Sequence, residues 1–303
     1  MKKSSIKNKK TLKKYLKSIF PYGYIIPIGI IIVAFSVLPI IMSIFFSFTK
    51  YNIMQPPEFI GLENYKSLFT DKALMESIKN TIRFSVVTVP IQTILSLLLA
   101  TWVVRGTSGR ISNIVKGAFF IPVLSSMVLI GMVWKSLLNG DASPINQFLG
   151  LFGLNAANWL GSSKTALNTL MMIAVWKNVG YFMVLYIAAL MDIPNSYYEA
   201  AKVDGSSTWR VLKDITVPLL KPTTIMIVFL GIIRSLQVFD LVYTLTGGGP
   251  GMSTMTVVMH AYNLNFKSFN SGYAMAVANV LFLIIAIISI LQKTLLKRDK
   301  SSL

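Results

Sequence analysis

Six apolar stretches, each long enough to cross a bilayer, divide the chain. They run Tyr24–Phe48, Phe84–Val104, Gly117–Trp134, Ala166–Met191, Thr223–Tyr243 and Gly272–Leu291. The first is 25 residues without a charge, and at about 1.5 Å per residue it spans a hydrocarbon core of about 30 Å. No small-x-small cleavage site closes it, so it reads as an uncleaved first span rather than a signal peptide. Lys177 interrupts the fourth stretch, and Arg234 and Asp240 sit in the fifth. Pro27, Pro39, Pro90 and Pro122 fall inside spans and are expected to kink them. The pattern predicts an all-α, polytopic membrane protein with six transmembrane helices. Residues 50–80, 135–165 and 244–270 read as polar loops.

The interval 192–221 is the one strongly polar interior segment, and its local chemistry predicts a shape. Pro194 interrupts the preceding apolar run, and Asn195 or Ser196 can cap a new helix. Gly205 supplies the left-handed position that ends that helix cheaply. Ser206 or Ser207 can cap a second helix through Asp214, which Pro218 is expected to stop. The expectation is a helix, a tight turn and a helix between two membrane spans.

Composition agrees with the patterning. The 303 residues are 54% hydrophobic and 13% charged, against about a quarter charged in soluble domains. There is no cysteine, hence no disulfide framework or thiolate site, and a single histidine, His260, makes a clustered metal site implausible. The net charge of +18 could suggest a nucleic-acid partner, but its distribution argues for membrane topology instead. Residues 1–19 carry eight lysines and no acid. The amino terminus, residues 105–117, the 192–221 loop and the tail together hold 19 basic residues, and the alternate loops hold 7. By the positive-inside rule both termini and the 192–221 loop are expected in the cytoplasm, with the basic amino terminus touching anionic lipid.

The loop also carries a resemblance. Glu199-Ala200-Ala201, then Asp204-Gly205, then Ile215, Pro218 and Pro222 fall in register with the cytoplasmic loop of permease subunits in binding-protein-dependent ABC importers. Ser206 and Leu212 depart from the usual alanine and phenylalanine, with size class or apolarity kept. The resemblance covers about residues 80–291. It implies that 81–291 is the permease core, preceded by a segment 1–80 and followed by a tail 292–303. It further implies that Glu199, Ala200, Ala201, Asp204, Gly205, Leu212, Ile215 and Pro218 form a coupling helix and its support, docking on an ATPase subunit. The implied partners are a second homologous permease, ATPase subunits that use ATP and magnesium, and an extracellular solute-binding protein, all at a bacterial plasma membrane. No cofactor and no catalytic residue is assigned to this chain.

Val238-Phe239-Asp240-Leu241-Val242-Tyr243, followed by Gly247-Gly248-Gly249-Pro250, resembles the sugar-importing, maltose-type branch of those permeases. A polyol importer of the glycerol-phosphate type is the alternative within the family. Taken alone, the glycines lack the Gly-Lys-Ser/Thr ending of a phosphate cradle and read as a flexible external turn. Gly161–Thr165 also lacks that spacing, so no nucleotide site is found.

Ionisable and amide groups inside spans are costly and usually face a bundle interior or cavity. Lys177, Asn178 and Tyr181 cluster on the fourth span. Arg234, Gln237 and Asp240 recur at i, i+3, i+6 and are expected on one stripe of the fifth. They are either a polar pathway for a hydroxyl-rich solute or interhelical glue, such as a Lys177–Asp240 ion pair. Outside the family, an ion-coupled secondary transporter would call for an inverted repeat, and none is seen. A membrane-embedded enzyme would have to be built on a lone histidine without cysteine.

Overall fold

The computed structural model describes residues 24–52, 54–106, 109–140 and 143–300. The lysine-rich start at 1–19 lies outside the described residues. The first span forms helix α1 (Ile26–Phe46), with one π-helical turn at Val33–Val37 directly upstream of Pro39, whose missing N–H leaves an i−4 carbonyl without its ordinary donor. The 50–80 segment is more ordered than a polar loop. An antiparallel hairpin, β1 (Thr49–Asn52) and β2 (Gln55–Phe59), leads into a short helix α2 (Glu63–Ser67). Asn64 pins that helix to the hairpin by donating to the Ser47 and Thr49 carbonyls, 2.9 Å each.

Helix α3 (Lys72–Thr101) starts twelve residues before the predicted second span. Asp71 sets that start, because its Oδ1 accepts from the Ala73 and Leu74 amides at 2.8 and 3.1 Å. A stripe of small polar residues on α3, including Ser77, Thr81, Ser85, Thr88, Gln92 and Ser96, is buried against its neighbours. Ser85 bonds Ser235 at 2.6 Å and Ser96 donates to the Val179 carbonyl at 3.1 Å. Such pairs join helices that lipid gives no hydrophobic reason to associate.

The third apolar stretch is not one straight span. It forms α4 (Arg110–Leu124) and α5 (Met127–Leu138), bent by 104°. Ser125 and Ser126 are extended, and the Ser126 hydroxyl accepts from Leu129 N to cap α5. Pro122 lies one turn before the break. A short helix α6 (Pro144–Gly150) follows.

Helix α7 (Ala166–Met191) is about 39 Å long. It packs on α3 and α4 and holds many of the largest buried side chains, including Phe182, Met183 and Tyr186. Gly180 permits the contact with α4: a Cβ there would collide with the Phe119 carbonyl. After α8 (Asn195–Val203) and α9 (Thr208–Leu219), the chain bends by 72° into α10 (Lys221–Leu236). The predicted fifth span therefore ends seven residues early, and a separate helix α11 (Asp240–Leu245) follows. The 244–270 loop contains α12 (Val257–Phe266), and α13 (Ser271–Lys300) completes the fold. Among the described residues four helices are long and apolar enough to cross a membrane, and the number is six if each bent pair is one span. No residue of α1 is buried within the chain.

Candidate functional site

Two features are built for function, and they are formed by neighbouring segments. The first is a cavity of about 380 Å³ where α7, the end of α10 and the start of α11 meet α4 and α5. All six polar residues expected along a pathway, Lys177, Asn178, Tyr181, Arg234, Gln237 and Asp240, line it. They do not share the helical stripe expected for the last three. Arg234 ends α10, Gln237 is its C-cap and Asp240 opens α11. The unwinding at Gln237–Phe239, rather than helical period, turns these groups toward one space.

The polar groups have structural partners of their own. The Lys177 ammonium donates to the Ser125 carbonyl at 3.0 Å, meeting an acceptor that the α4–α5 break leaves without a helical donor. No Lys177–Asp240 ion pair forms among the described residues. Asn178 Nδ2 donates to Oε1 of the buried Gln92 at 3.0 Å. The Arg234 guanidinium stacks over the Tyr181 ring with its Cζ 4.0 Å from the centroid. Phe84 and Phe239 add aromatic walls. Arg234, Gln237 and Asp240 remain exposed. The cavity thus combines two cations, one carboxylate, two amides and aromatic faces.

Sequence reasoning missed Gln92 and Ser125. Gln92 had a signal, being a lone amide in an uncharged span. Ser125 acts through its backbone carbonyl, which no residue type announces.

The second feature is the α8–α9 knob. Neither Asn195 nor Ser196 caps α8; Pro194 takes that position without a side-chain bond, because its own ring already fixes the entry. The carboxyl end follows the expectation closely. Gly205 has φ +67°, Gly205 N donates to Lys202 O at 3.1 Å, and Ser206 N donates back to Ala201 O at 2.9 Å. Ser207 caps α9 through Arg210 N. Pro218 does not stop α9, which continues to Leu219. A π-helical turn at Leu212–Thr216 accommodates the missing proline donor.

Within the knob Glu199, Ala200, Asp204, Gly205 and Pro218 are exposed, Leu212 and Ile215 half-buried, and Ala201 buried. The Arg105 guanidinium lies over the Tyr198 ring, and the Tyr198 hydroxyl meets Thr216 Oγ1 at 3.3 Å. These contacts tie α8 to α9 and to the π-helical turn Trp102–Gly106 that follows α3. Val203 is 88% exposed and Trp209 70%. Neither was singled out from sequence, although an apolar residue inside an otherwise polar loop is a visible signal.

The glycine-rich turn is held rather than loose. Asn80 Nδ2 donates to the Met252 and Met255 carbonyls at 2.9 and 3.0 Å, and Thr254 donates to Gly249 O at 2.7 Å.

Residues 87–300 match the family described as "Binding-protein-dependent transport system inner membrane component". The chain belongs to this family. The permease is 33% identical to the lactose transport system permease protein LacF of Rhizobium radiobacter, over 94% of this chain and 96% of that one. It is 31% identical to the trehalose/maltose transport system permease protein MalF of Thermococcus litoralis, over 94% and 97%. Among solved structures it matches a chain of a bacterial ABC transporter involved in importing the acidic polysaccharide alginate. That match has a TM-score of 0.84 and 23% identity, covering 95% of this permease and 99% of that chain. The likeness is one of fold.

Proposed function

We propose that this permease translocates a sugar or oligosaccharide delivered by an external solute-binding protein, as one half of a pair with a second homologous permease. The lining of the α7–α10–α11 cavity carries this reading. Aromatic faces of Phe84, Tyr181 and Phe239 suit the apolar faces of sugar rings, and the amides and charges around them suit hydroxyl groups. The relatives named for lactose and for trehalose and maltose support it. One solved complex of the alginate transporter also contains its pentasaccharide-bound periplasmic protein.

Energy enters elsewhere. In this reading both termini and the α8–α9 knob are cytoplasmic, and the knob docks in a groove of an ATPase subunit that binds ATP and magnesium. Closure of the ATPases pulls on α8, and the short, cross-braced α8–α9 unit passes that movement to α10. Because α10 ends at the cavity, the same displacement changes the side to which the cavity opens. Glu199, Asp204 and Gly205 present the docking face, and Leu212 and Ile215 seat it.

The two cations against one carboxylate also favour a second reading, a phosphorylated polyol. Uptake of labelled sugar by the reconstituted importer, competed with neutral oligosaccharides, uronates and glycerol phosphates, separates the two. Competition by neutral saccharides supports the first reading; competition by glycerol phosphate alone overturns it.

A further inference from the structure

Gln92 does not line the polar cavity, yet it holds one of the groups that does. Its side chain is 1% exposed, in the middle of the uncharged part of α3. An amide buried in a membrane span is costly and is kept where it serves a contact or a pathway. Its Oε1 accepts from Asn178 Nδ2 at 3.0 Å. Its Nε2 lies against α10 at Gly231, where a Cβ would come within 2.6 Å of that nitrogen.

Ser96, one turn further along α3, donates to the Gln92 carbonyl at 2.5 Å and to the Val179 carbonyl at 3.1 Å. The backbones of α3 and α7 are therefore held in register at the Gln92–Asn178 contact, and α10 closes the space beside it. Asn178 is half-buried and lines the cavity. An amide free to rotate offers either its oxygen or its NH2 group to a solute hydroxyl. With Nδ2 bonded to Gln92, the oxygen is the end of the Asn178 amide left for the cavity.

We propose that Gln92 is a positioning residue for solute selection, which fixes the Asn178 amide so that Asn178 meets the solute as an acceptor. The proposal rests on the sugar-permease reading. A solute must then bring a hydroxyl hydrogen to that point. An oxygen without a hydrogen meets the Asn178 oxygen with no proton between them, and both stay unpaired. Lys177 and Arg234 bring only donors to the same cavity. A fixed acceptor beside them lets the wall distinguish a hydroxyl that donates from an oxygen that cannot.

The test measures uptake by the complete importer in proteoliposomes, for the parent and for Gln92→Met, Gln92→Glu and Gly231→Ala. Maltose, trehalose and lactose are offered first. The best-imported saccharide is then compared with its singly deoxyfluorinated derivatives, in which fluorine replaces one hydroxyl and cannot donate. The binding protein is the same throughout, so its own preferences cancel when each variant is compared with the parent. In the parent, fluorine at one position should slow uptake about fivefold or more. Methionine removes the acceptor for Asn178 at similar volume. It should shrink that penalty to about twofold or less and leave the penalties at other positions unchanged. Glutamate still accepts from Asn178 Nδ2 and should keep the parental penalty. Gly231→Ala, which crowds Nε2, should reduce the penalty at the same position as methionine does, and it carries the test if Gln92→Met does not assemble. A parent indifferent to fluorine at every position overturns the positioning role. So does an equal change at every position, or a parental pattern in the variant that carries the test. Each of these leaves the sugar-permease reading standing, whereas a parent that imports no saccharide overturns both.

Discussion

The Lys177 ammonium and the Ser125 carbonyl meet at 3.0 Å, joining the middle of α7 to the break between α4 and α5. A lysine in a membrane span invites a reading as an ion-pair partner or a solute ligand. Here it also replaces the helical donor that the 104° bend removes. One group therefore supports the bend and lines the cavity.

Replacing Lys177 with Met should leave that carbonyl without its partner. The expected loss is about 1–3 kcal/mol, seen as a lower thermal midpoint of the purified complex. Lys177→Arg, which keeps a donor and a charge, should lose less. Equal midpoints for Met and the parent would contradict the bracing role.

At Gly180 the α4 and α7 backbones approach so closely that a methyl group meets the Phe119 carbonyl. Gly180→Ala should cost about 1–3 kcal/mol or more and reduce the yield of folded protein. Gly29→Ala is the matched control, because nothing lies within 4 Å of a Cβ there. Only the first substitution should move the midpoint.

Asp71 joins three elements: it caps α3, accepts from the Tyr273 hydroxyl at 2.9 Å and meets His260 Nε2 at 3.1 Å. Partial burial pushes its carboxyl upward, but hydrogen bonds from Leu74 N–H, Tyr273 and His260 outweigh this and hold it below the ordinary value of 3.8. A depressed carboxyl favours the folded state above its unfolded value and loses that contribution as pH falls through the lower folded value. Stability of the parent should therefore decline below about pH 3.8 more steeply than that of Asp71→Asn, which keeps the cap without the charge. Thermal midpoints of both proteins from pH 7 downward make the comparison, and parallel curves would contradict it.

Val203 and Trp209 project from a loop that is otherwise polar. Val203→Asp or Trp209→Ala should weaken association with the ATPase subunits by about 2 kcal/mol, the scale of a buried aromatic or aliphatic anchor at an interface. Pull-down of the ATPase by the tagged permease measures this. The same substitutions should leave the thermal midpoint of the permease alone near its parental value.

The long apolar runs made the membrane class and four of the six spans legible, because roughly 20 consecutive apolar residues have few alternatives. The Gly205 turn was legible because only a left-handed position there closes α8 with both back-bonds. The two bent pairs were not. Ser125 and Ser126 are ordinary small residues, and their extended backbone is fixed by Lys177, Leu129 and the packing of α4 on α7. The stripe drawn through Arg234, Gln237 and Asp240 assumed an unbroken helix. The helix ends at Leu236, yet the residues still converge, because the break turns them into the same cavity. Cost in lipid identified the groups; tertiary packing decided how they meet.

In the proposed mechanism, force enters through the α8–α9 turn and leaves as solute movement at the cavity. Gly205 tests it most directly, since a side chain there meets no neighbour within 4 Å and acts only through the backbone at φ +67° and through the docking face. The measurement is ATP-dependent sugar uptake by proteoliposomes holding the complete importer with Gly205→Val or Gly205→Asn. A β-branched residue resists that conformation and asparagine tolerates it. Uptake should fall at least about tenfold for Val, from about 1–2 kcal/mol of turn strain plus lost docking, and much less for Asn, with membrane insertion unchanged in both. Parental uptake by the Val variant would contradict the claim.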